Sequence, residues 1–167
     1  MKIKILSLRP LKLKDAPRML EWLHDESIMK YFQFDGSSAT LQTASEFIQK
    51  AIDETRNLHR AIVDENDTYL GTVSLKQIDE VEKKAEYAIC MLPEAIGTGA
   101  AKKGTELILR YGFEVLELNK IYLNVLNDNE RAVRFYEKLG FIYTGSTTID
   151  FKGREKELRW YDAIMPN

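Results

Sequence analysis

The chain has 167 residues, 44% of them apolar, and a formal net charge of −2 at pH 7. That length suits one compact core, and the near-neutral charge balance leaves no basic footprint for nonspecific nucleic-acid binding. Cys90 is the sole cysteine, which excludes an internal disulfide and fits a reducing compartment. No apolar run approaches the ~20 residues of a membrane span, and Met1 to Arg9 lacks a signal-peptide core. The expectation is a single domain over residues 1–167, soluble and cytoplasmic, with no membrane, nucleic-acid or metal partner.

In chain order, a strand is expected over Ile3–Arg9, a helix over Asp15–His24 and an aromatic loop over Tyr31–Ser38. A second helix, Thr43–Arg56, opens on Thr43-x-x-Glu46, the spacing of a capping box, and its apolar stripe is Phe47, Ile48, Ala51 and Ile52. Strands Arg60–Asp64 and Tyr69–Gln77 flank the polar turn Glu65-Asn66-Asp67, which suits a hairpin. Lys83–Met91 alternates and reads as a further antiparallel partner. Its cysteine, Cys90, reads as a small buried residue in keeping with the burial habits of free cysteine.

Pro93-Glu94-Ala95-Ile96-Gly97-Thr98-Gly99-Ala100-Ala101 then runs into an amphipathic helix. Small or apolar residues recur at Ala100, Gly104, Leu107, Ile108, Tyr111 and Val115, with Lys102, Lys103, Glu106, Arg110 and Glu114 on the opposite face. Two glycines at a strand-to-helix junction let the backbone approach a ligand closely. The first N–H groups of the helix lack internal partners and suit a pyrophosphate. Taken alone, Gly-x-Gly is equally an ordinary turn.

Lys120–Leu126 reads as the next strand. Asn127, Asp128 and Asn129 are helix-starting residues, Asn127 and Glu130 have capping-box spacing, and Gly140 stops the helix in the left-handed cap position. That helix carries Ala132, Phe135, Tyr136 and Leu139 on one face, so Tyr136 points inward with a hydroxyl that needs a partner. Phe141–Asp150 and Glu155–Met165 flank a Lys152-Gly153 turn as a closing hairpin. Strands clustered around two long helices argue for an α+β fold with a mixed sheet.

The order strand, Gly-x-Gly helix, strand, then Asn129-x-x-Ala132-x-x-x-Tyr136-x-x-x-Gly140-Phe141 resembles the GNAT superfamily of N-acetyltransferases. Leu8-Arg9-Pro10-Leu11-Lys12-Leu13-Lys14-Asp15-Ala16, Tyr69 to Leu75 and Ala85 to Ile89 are similar to the opening, third-strand and fourth-strand segments of its Rim-type branch. That branch includes ribosomal-protein N-terminal acetyltransferases and many enzymes of small amines. The resemblance implies a mostly antiparallel twisted sheet flanked by helices, splayed between its fourth and fifth strands near Ile89–Met91 and Asn124–Leu126. It also implies acetyl-CoA as cofactor and direct attack by a primary amine of a peptide N-terminus, an amino sugar or another small amine. The expected state is monomer or homodimer.

Carried over residue by residue, the resemblance gives Ile89, Cys90 and Met91 to the thioester and pantetheine, and Gly97, Thr98, Gly99, Ala100 and Ala101 to the pyrophosphate. Asn129 matches the position that hydrogen-bonds the pantetheine arm, and Tyr136 the proton donor to the leaving sulfur. A phenol with a pKa near ~10 is protonated at neutral pH and suits that role. Glu86 has two readings, a base aimed at the acceptor or a solvated strand residue in the Glu82, Lys84, Glu86 alternation. Asp162 is a weaker base candidate, and His24 and His59 read as structural or exposed. Tyr31, Phe32, Phe34 and Trp160 are either acceptor-pocket aromatics, with Asp35 beside them, or plugs at the sheet edge.

The family pattern is broken at Glu94 and Ile96, where members commonly carry Gln or Arg and a basic residue. A carboxylate there is expected to repel the phosphates unless it turns to solvent, with Lys102 and Lys103 offering compensating charge. These departures leave a CoA-binding sensor or interaction module without catalysis as the alternative function. A dinucleotide enzyme fits poorly, since the final small residue and the acidic ribose partner of that motif are missing.

Overall fold

The structure is a computed structural model that describes residues 5–167. Seven strands form one sheet in the order β1-β2-β3-β4-β5-β7-β6. They are β1 Leu6–Pro10, β2 Leu58–Asp64, β3 Tyr69–Asp79, β4 Lys84–Met91, β5 Lys120–Leu126, β6 Ile142–Phe151 and β7 Arg154–Asp162. Of the strand expected from Ile3, the first two residues lie outside the described region. Every neighbouring pair is antiparallel except β4 and β5, which are parallel. The fold is α+β, as the strand and helix pattern indicates.

The helices are α1 Ala16–Leu23, α2 Glu26–Met29, α3 Leu41–Asp53, α4 Ala100–Arg110 and α5 Glu130–Lys138. The two sheet faces carry different helices. On one, α4 and α5 cover a core that includes Ile62, Val73, Leu75, Tyr87, Ile108, Ile121 and Tyr136. On the other, Met19 and Trp22 of α1 and Ala44 and Ile48 of α3 pack on Ala61, Val63 and Tyr69.

Three local expectations are corrected. α3 starts earlier than the Thr43–Glu46 box proposes. Thr40 is its cap, with the Thr43 N–H donating to Thr40 Oγ1 at 3.1 Å and the Thr40 N–H donating to Thr43 Oγ1 at 2.8 Å. The buried stripe is therefore Ala44 and Ile48, while Phe47 and Ile52 are 41% and 60% exposed.

α5 is capped by Asn129, whose side chain accepts from the Ala132 N–H at 3.4 Å, and not by the Asn127–Glu130 pair. Asn127 is still engaged by the sheet, its N–H donating to the Glu157 carbonyl at 3.0 Å. Finally, α4 passes into a π-type turn over Tyr111–Val115. The wider turn carries Val115 off the buried stripe to 62% exposure and buries Gly112 in its place.

The closing hairpin turns at Lys152 and Gly153, both in the left-handed region at φ 52° and 82°, as a two-residue turn between twisted strands requires. Gly140, at φ 80°, ends α5 as expected; the Phe141 N–H returns to the Tyr136 carbonyl at 3.2 Å.

The arrangement that positions the site is the parting of β4 from β5. They pair at Lys84↔Lys120, Ala85↔Ile121 and Glu86↔Tyr122, and the register ends there. Beyond this point β4 stays with β3 as far as Met91, and β5 stays with β7 as far as Leu126. The sheet opens between them over the stretch expected to splay.

Candidate active site

A cavity of about 1520 Å³ occupies this opening and extends to both faces of the sheet. On the α4–α5 side its walls include Gly97, Gly99, Ala101, Lys102, Asn129 and Tyr136. At the opening they include Glu86 to Met91 and Asn124 to Leu126. On the far side lie Lys30, Tyr31, Phe32, Gln33, Phe34 and Lys76.

The glycine loop is shaped for close approach. Gly97 and Gly99 sit at φ 82° and 90°, and a Cβ built on either meets no atom within 4 Å. The backbone is thus both left-handed and open to a ligand at these two positions. Gly99 is the cap of α4, so the first amides of that helix face the end of the cavity without intrahelical acceptors. Thr98 and Ala100 do not line the cavity. Thr98 Oγ1 instead donates to the Ala95 carbonyl at 2.5 Å and accepts weakly from the Ala100 N–H at 3.3 Å, bracing the loop from within.

Glu94 does not act as the sequence leads one to expect. Arg18 of α1 donates to Glu94 Oε1 at 2.7 Å and to the Tyr69 carbonyl at 2.9 Å. The carboxylate is paired with a cation and does not line the cavity. Ile96 does line the cavity.

Tyr136 is 7% exposed and holds the middle of an aromatic cluster. It stacks on Phe141 with 5.9 Å between centroids and meets Tyr87 edge-on at 5.9 Å. Tyr87 is the first β4 residue beyond the paired region, and its hydroxyl lies 2.8 Å from Thr105 Oγ1 of α4. Burial pushes the hydroxyls of both tyrosines well above the ordinary phenol range, at Tyr136 against a downward pull from Tyr87. No backbone carbonyl holds the Tyr136 hydroxyl among the described residues. It is a protonated donor on the wall of a cavity.

Glu86 lies on the opposite face of β4 from Tyr87 and is ion-paired with Lys76 of β3 at 3.2 Å. Both residues line the cavity. Cys90 is half-buried there, and desolvation pushes its thiol up to about 12, which leaves it no nucleophilic character at neutral pH.

The aromatics divide. Tyr31, Phe32 and Phe34 line the cavity, whereas Trp160 packs beside Tyr122 and donates from Nε1 to Thr147 Oγ1 at 2.9 Å, outside the lining. Asp35 accepts from the Ser37 N–H and hydroxyl and is absent from the cavity wall. Asp162 is 3.8 Å from Lys120 and also stands apart. His24 Nε2 donates to the Ala39 carbonyl at 2.7 Å, and His59 Nδ1 lies 2.7 Å from Ser74 Oγ. Neither histidine lines the cavity.

Sequence reasoning missed the basic wall. Arg131, Arg134 and Lys138 of α5 line the cavity with Lys102 of α4. Their three- and four-residue spacing places the α5 cations on one helical face, a signal readable in the sequence beside the apolar stripe. Together they suit a polyphosphate.

The chain matches the family described as Acetyltransferase (GNAT) domain over residues 6–142. It belongs to the GNAT acetyltransferase family. It is therefore an acyltransferase, and the cofactor of this family's chemistry is acetyl-CoA. Spermidine N(1)-acetyltransferase of Escherichia coli (strain K12) is 32% identical over 146 residues, covering 87% of this chain and 77% of the relative. A solved structure of spermidine N-acetyltransferase from Vibrio cholerae, in complex with CoA and spermine, superposes with a TM-score of 0.85 at 28% identity, covering 94% of each chain. A Bacillus subtilis (strain 168) protein assigned provisionally to ribosomal N-acetylation is 23% identical over 167 residues, covering 95% of this chain and 91% of that one.

Proposed function

We propose that this GNAT enzyme acetylates the primary amine of a small aliphatic molecule, with acetyl-CoA and acceptor bound together. The observation that carries the reading is the single cavity through the β4–β5 opening. It joins a glycine loop with basic residues on one side to an aromatic acceptor arm on the other, and Tyr136 and Glu86 both line it. Relatives named for spermidine N-acetylation support a small-amine acceptor over an amino sugar or a protein N-terminus. The ribosomal-type branch is represented by a more distant match.

The residues present fit CoA. The open space over Gly97 and Gly99 admits the pyrophosphate to the α4 amides, and Lys102, Arg131, Arg134 and Lys138 supply the opposing charge. Asn129 uses its side-chain oxygen on the helix cap and keeps its amide nitrogen for the pantetheine arm. The unpaired edges of β4 at Ile89–Met91 and of β5 at Asn124–Leu126 offer backbone groups to the thioester.

When bound, acetyl-CoA supplies an activated acetyl group. The acceptor must attack as an uncharged amine, and Glu86 is the carboxylate at the opening placed to receive its proton. Tyr136 donates its hydroxyl proton to the departing sulfur, and burial keeps that phenol protonated at pH 7 until the thiolate forms beside it.

Turnover of acetyl-CoA over a panel of polyamines, alkylamines, amino acids, amino sugars and N-terminal peptides tests this reading. Acetylation of one or more small aliphatic amines is expected. Acetylation confined to peptides or amino sugars would contradict it.

A further inference from the structure

The acceptor arm is basic, which is unexpected for an enzyme whose relatives are named for polycations. Glu86 is the one acidic residue on the cavity wall among the described residues, and Lys76 already neutralises it at 3.2 Å. Lys30, at the end of α2, lines the same arm, with its Nζ 5.0 Å from the Tyr31 ring centroid and no carboxylate in ion-pair range among the described residues. Among the nearby acids, Glu26 of α2 lies outside the cavity lining, and Asp25 and Asp35 keep their charge but are engaged in their own turns. Asp25 accepts from the Ser27 N–H at 2.9 Å and Asp35 from the Ser37 N–H at 2.9 Å. Neither lines the cavity. Behind the arm, Lys152 donates to the Met29 carbonyl at 3.2 Å, and its charge is offset by the Asp35 carboxylate nearby.

This distribution sets a sign. A second or third ammonium of a polyamine, extended along the aromatic arm, meets Lys30 and Lys76 with no free carboxylate to hold it. Like charges in a partly desolvated cleft repel more strongly than in water, and such juxtaposition is a standard means of rejecting the wrong ligand. An anionic group in the same place supplies Lys30 with the counter-charge that the cavity wall lacks.

We propose that the acceptor is a primary amine that also carries an anionic group, a carboxylate or a phosphate, held by Lys30 and Lys76. The inference rests on the acetyltransferase reading above and names the substrate class within it. The anion docks toward Lys30 and Lys76, and the amine reaches the opening beside Glu86. Its nitrogen bonds the acetyl carbon as the carbon–sulfur bond breaks, the nitrogen gives up one proton, and the sulfur gains one. Tyr31, Phe32 and Phe34 cover the carbon chain between the two ends.

Matched acceptors test it. For the wild type, kcat/KM is measured for pentylamine against 5-aminopentanoate, for ethylamine against 2-aminoethyl phosphate, and for spermidine. At least one anionic member is expected to exceed its neutral partner and spermidine by about tenfold or more, and which pair shows the effect separates carboxylate from phosphate. Lys30→Gln and Lys76→Gln are expected to reduce that preference by raising KM for the anionic member. Lys30 is exposed, so its variant keeps the test valid should Lys76→Gln disturb the sheet. Spermidine or the neutral amines turned over best would overturn the proposal while leaving the acetyltransferase reading intact. A preference unchanged in Lys30→Gln would overturn the docking site. No acetylation of any amine, with acetyl-CoA still bound, would remove both.

Discussion

Arg18 in α1 and Glu94 in the loop ahead of α4 are joined at 2.7 Å, outside the lining of the cavity. The pair ties the first helix to the glycine loop and gives the acidic side chain a cationic partner. Arg18 is fixed further by the Tyr69 carbonyl at 2.9 Å.

From this pair, Glu94→Gln is expected to leave the acetyl-CoA Kd within about threefold, because an exposed ion pair contributes roughly 0–1 kcal/mol. Arg18→Ala releases an unneutralised carboxylate and is expected to weaken binding more than Glu94→Gln does, with the gap widening at low ionic strength. Calorimetric titration at two salt concentrations checks both. Tighter binding in Arg18→Ala would contradict the pairing argument.

Cys90 is expected to resist alkylation. With its thiol at about 12, the thiolate fraction at pH 8 is about one in ten thousand. Mass-spectrometric labelling with iodoacetamide is expected to run at least about 100-fold slower on the folded protein than on the unfolded chain. Comparable rates would show an accessible, ionising sulfur.

His59 gives the fold a pH dependence of known sign. Burial lowers its pKa, the charge of Lys76 adds to the effect, and the unfolded value is ~6.5. As pH falls through that value the unfolded chain takes up a proton that folded His59 refuses, so stability declines toward acid and is retained above it. Melting temperatures from pH 8 to pH 5 are expected to fall less steeply in His59→Asn than in the wild type. Parallel curves would remove His59 as the cause.

Much of this architecture was legible because the local signals agreed with the global fold. Gly140, the Lys152-Gly153 turn, the alternation of β4 and the apolar face of α5 each dictate one conformation, and the structure has them. Boundaries set by competing polar caps were less legible. Thr40 and Asn129 take the cap positions rather than Thr43 and Asn127, a choice between neighbouring polar residues that residue type and spacing leave open. The site followed the same division. Gly97, Gly99, Asn129 and Tyr136 sit in local motifs and line the cavity together. The Arg18–Glu94 pair and the Lys76–Glu86 pair join separate elements, so their effect on charge emerges only when the chain is folded.

Tyr136 is the residue proposed as the acid for the leaving sulfur. Tyr136→Phe removes one oxygen from a ring that stacks on Phe141 and meets Phe135 and Tyr87, so the fold and acetyl-CoA affinity are expected to survive. The decisive measurement is single-turnover acetyl transfer to a competent acceptor, with the melting temperature recorded on the same preparation. A rate about 100-fold or more below wild type is expected, the lower range for a positioned general acid, with melting little changed. A near-normal chemical step in a variant that binds acetyl-CoA would contradict it and leave Tyr136 a packing residue.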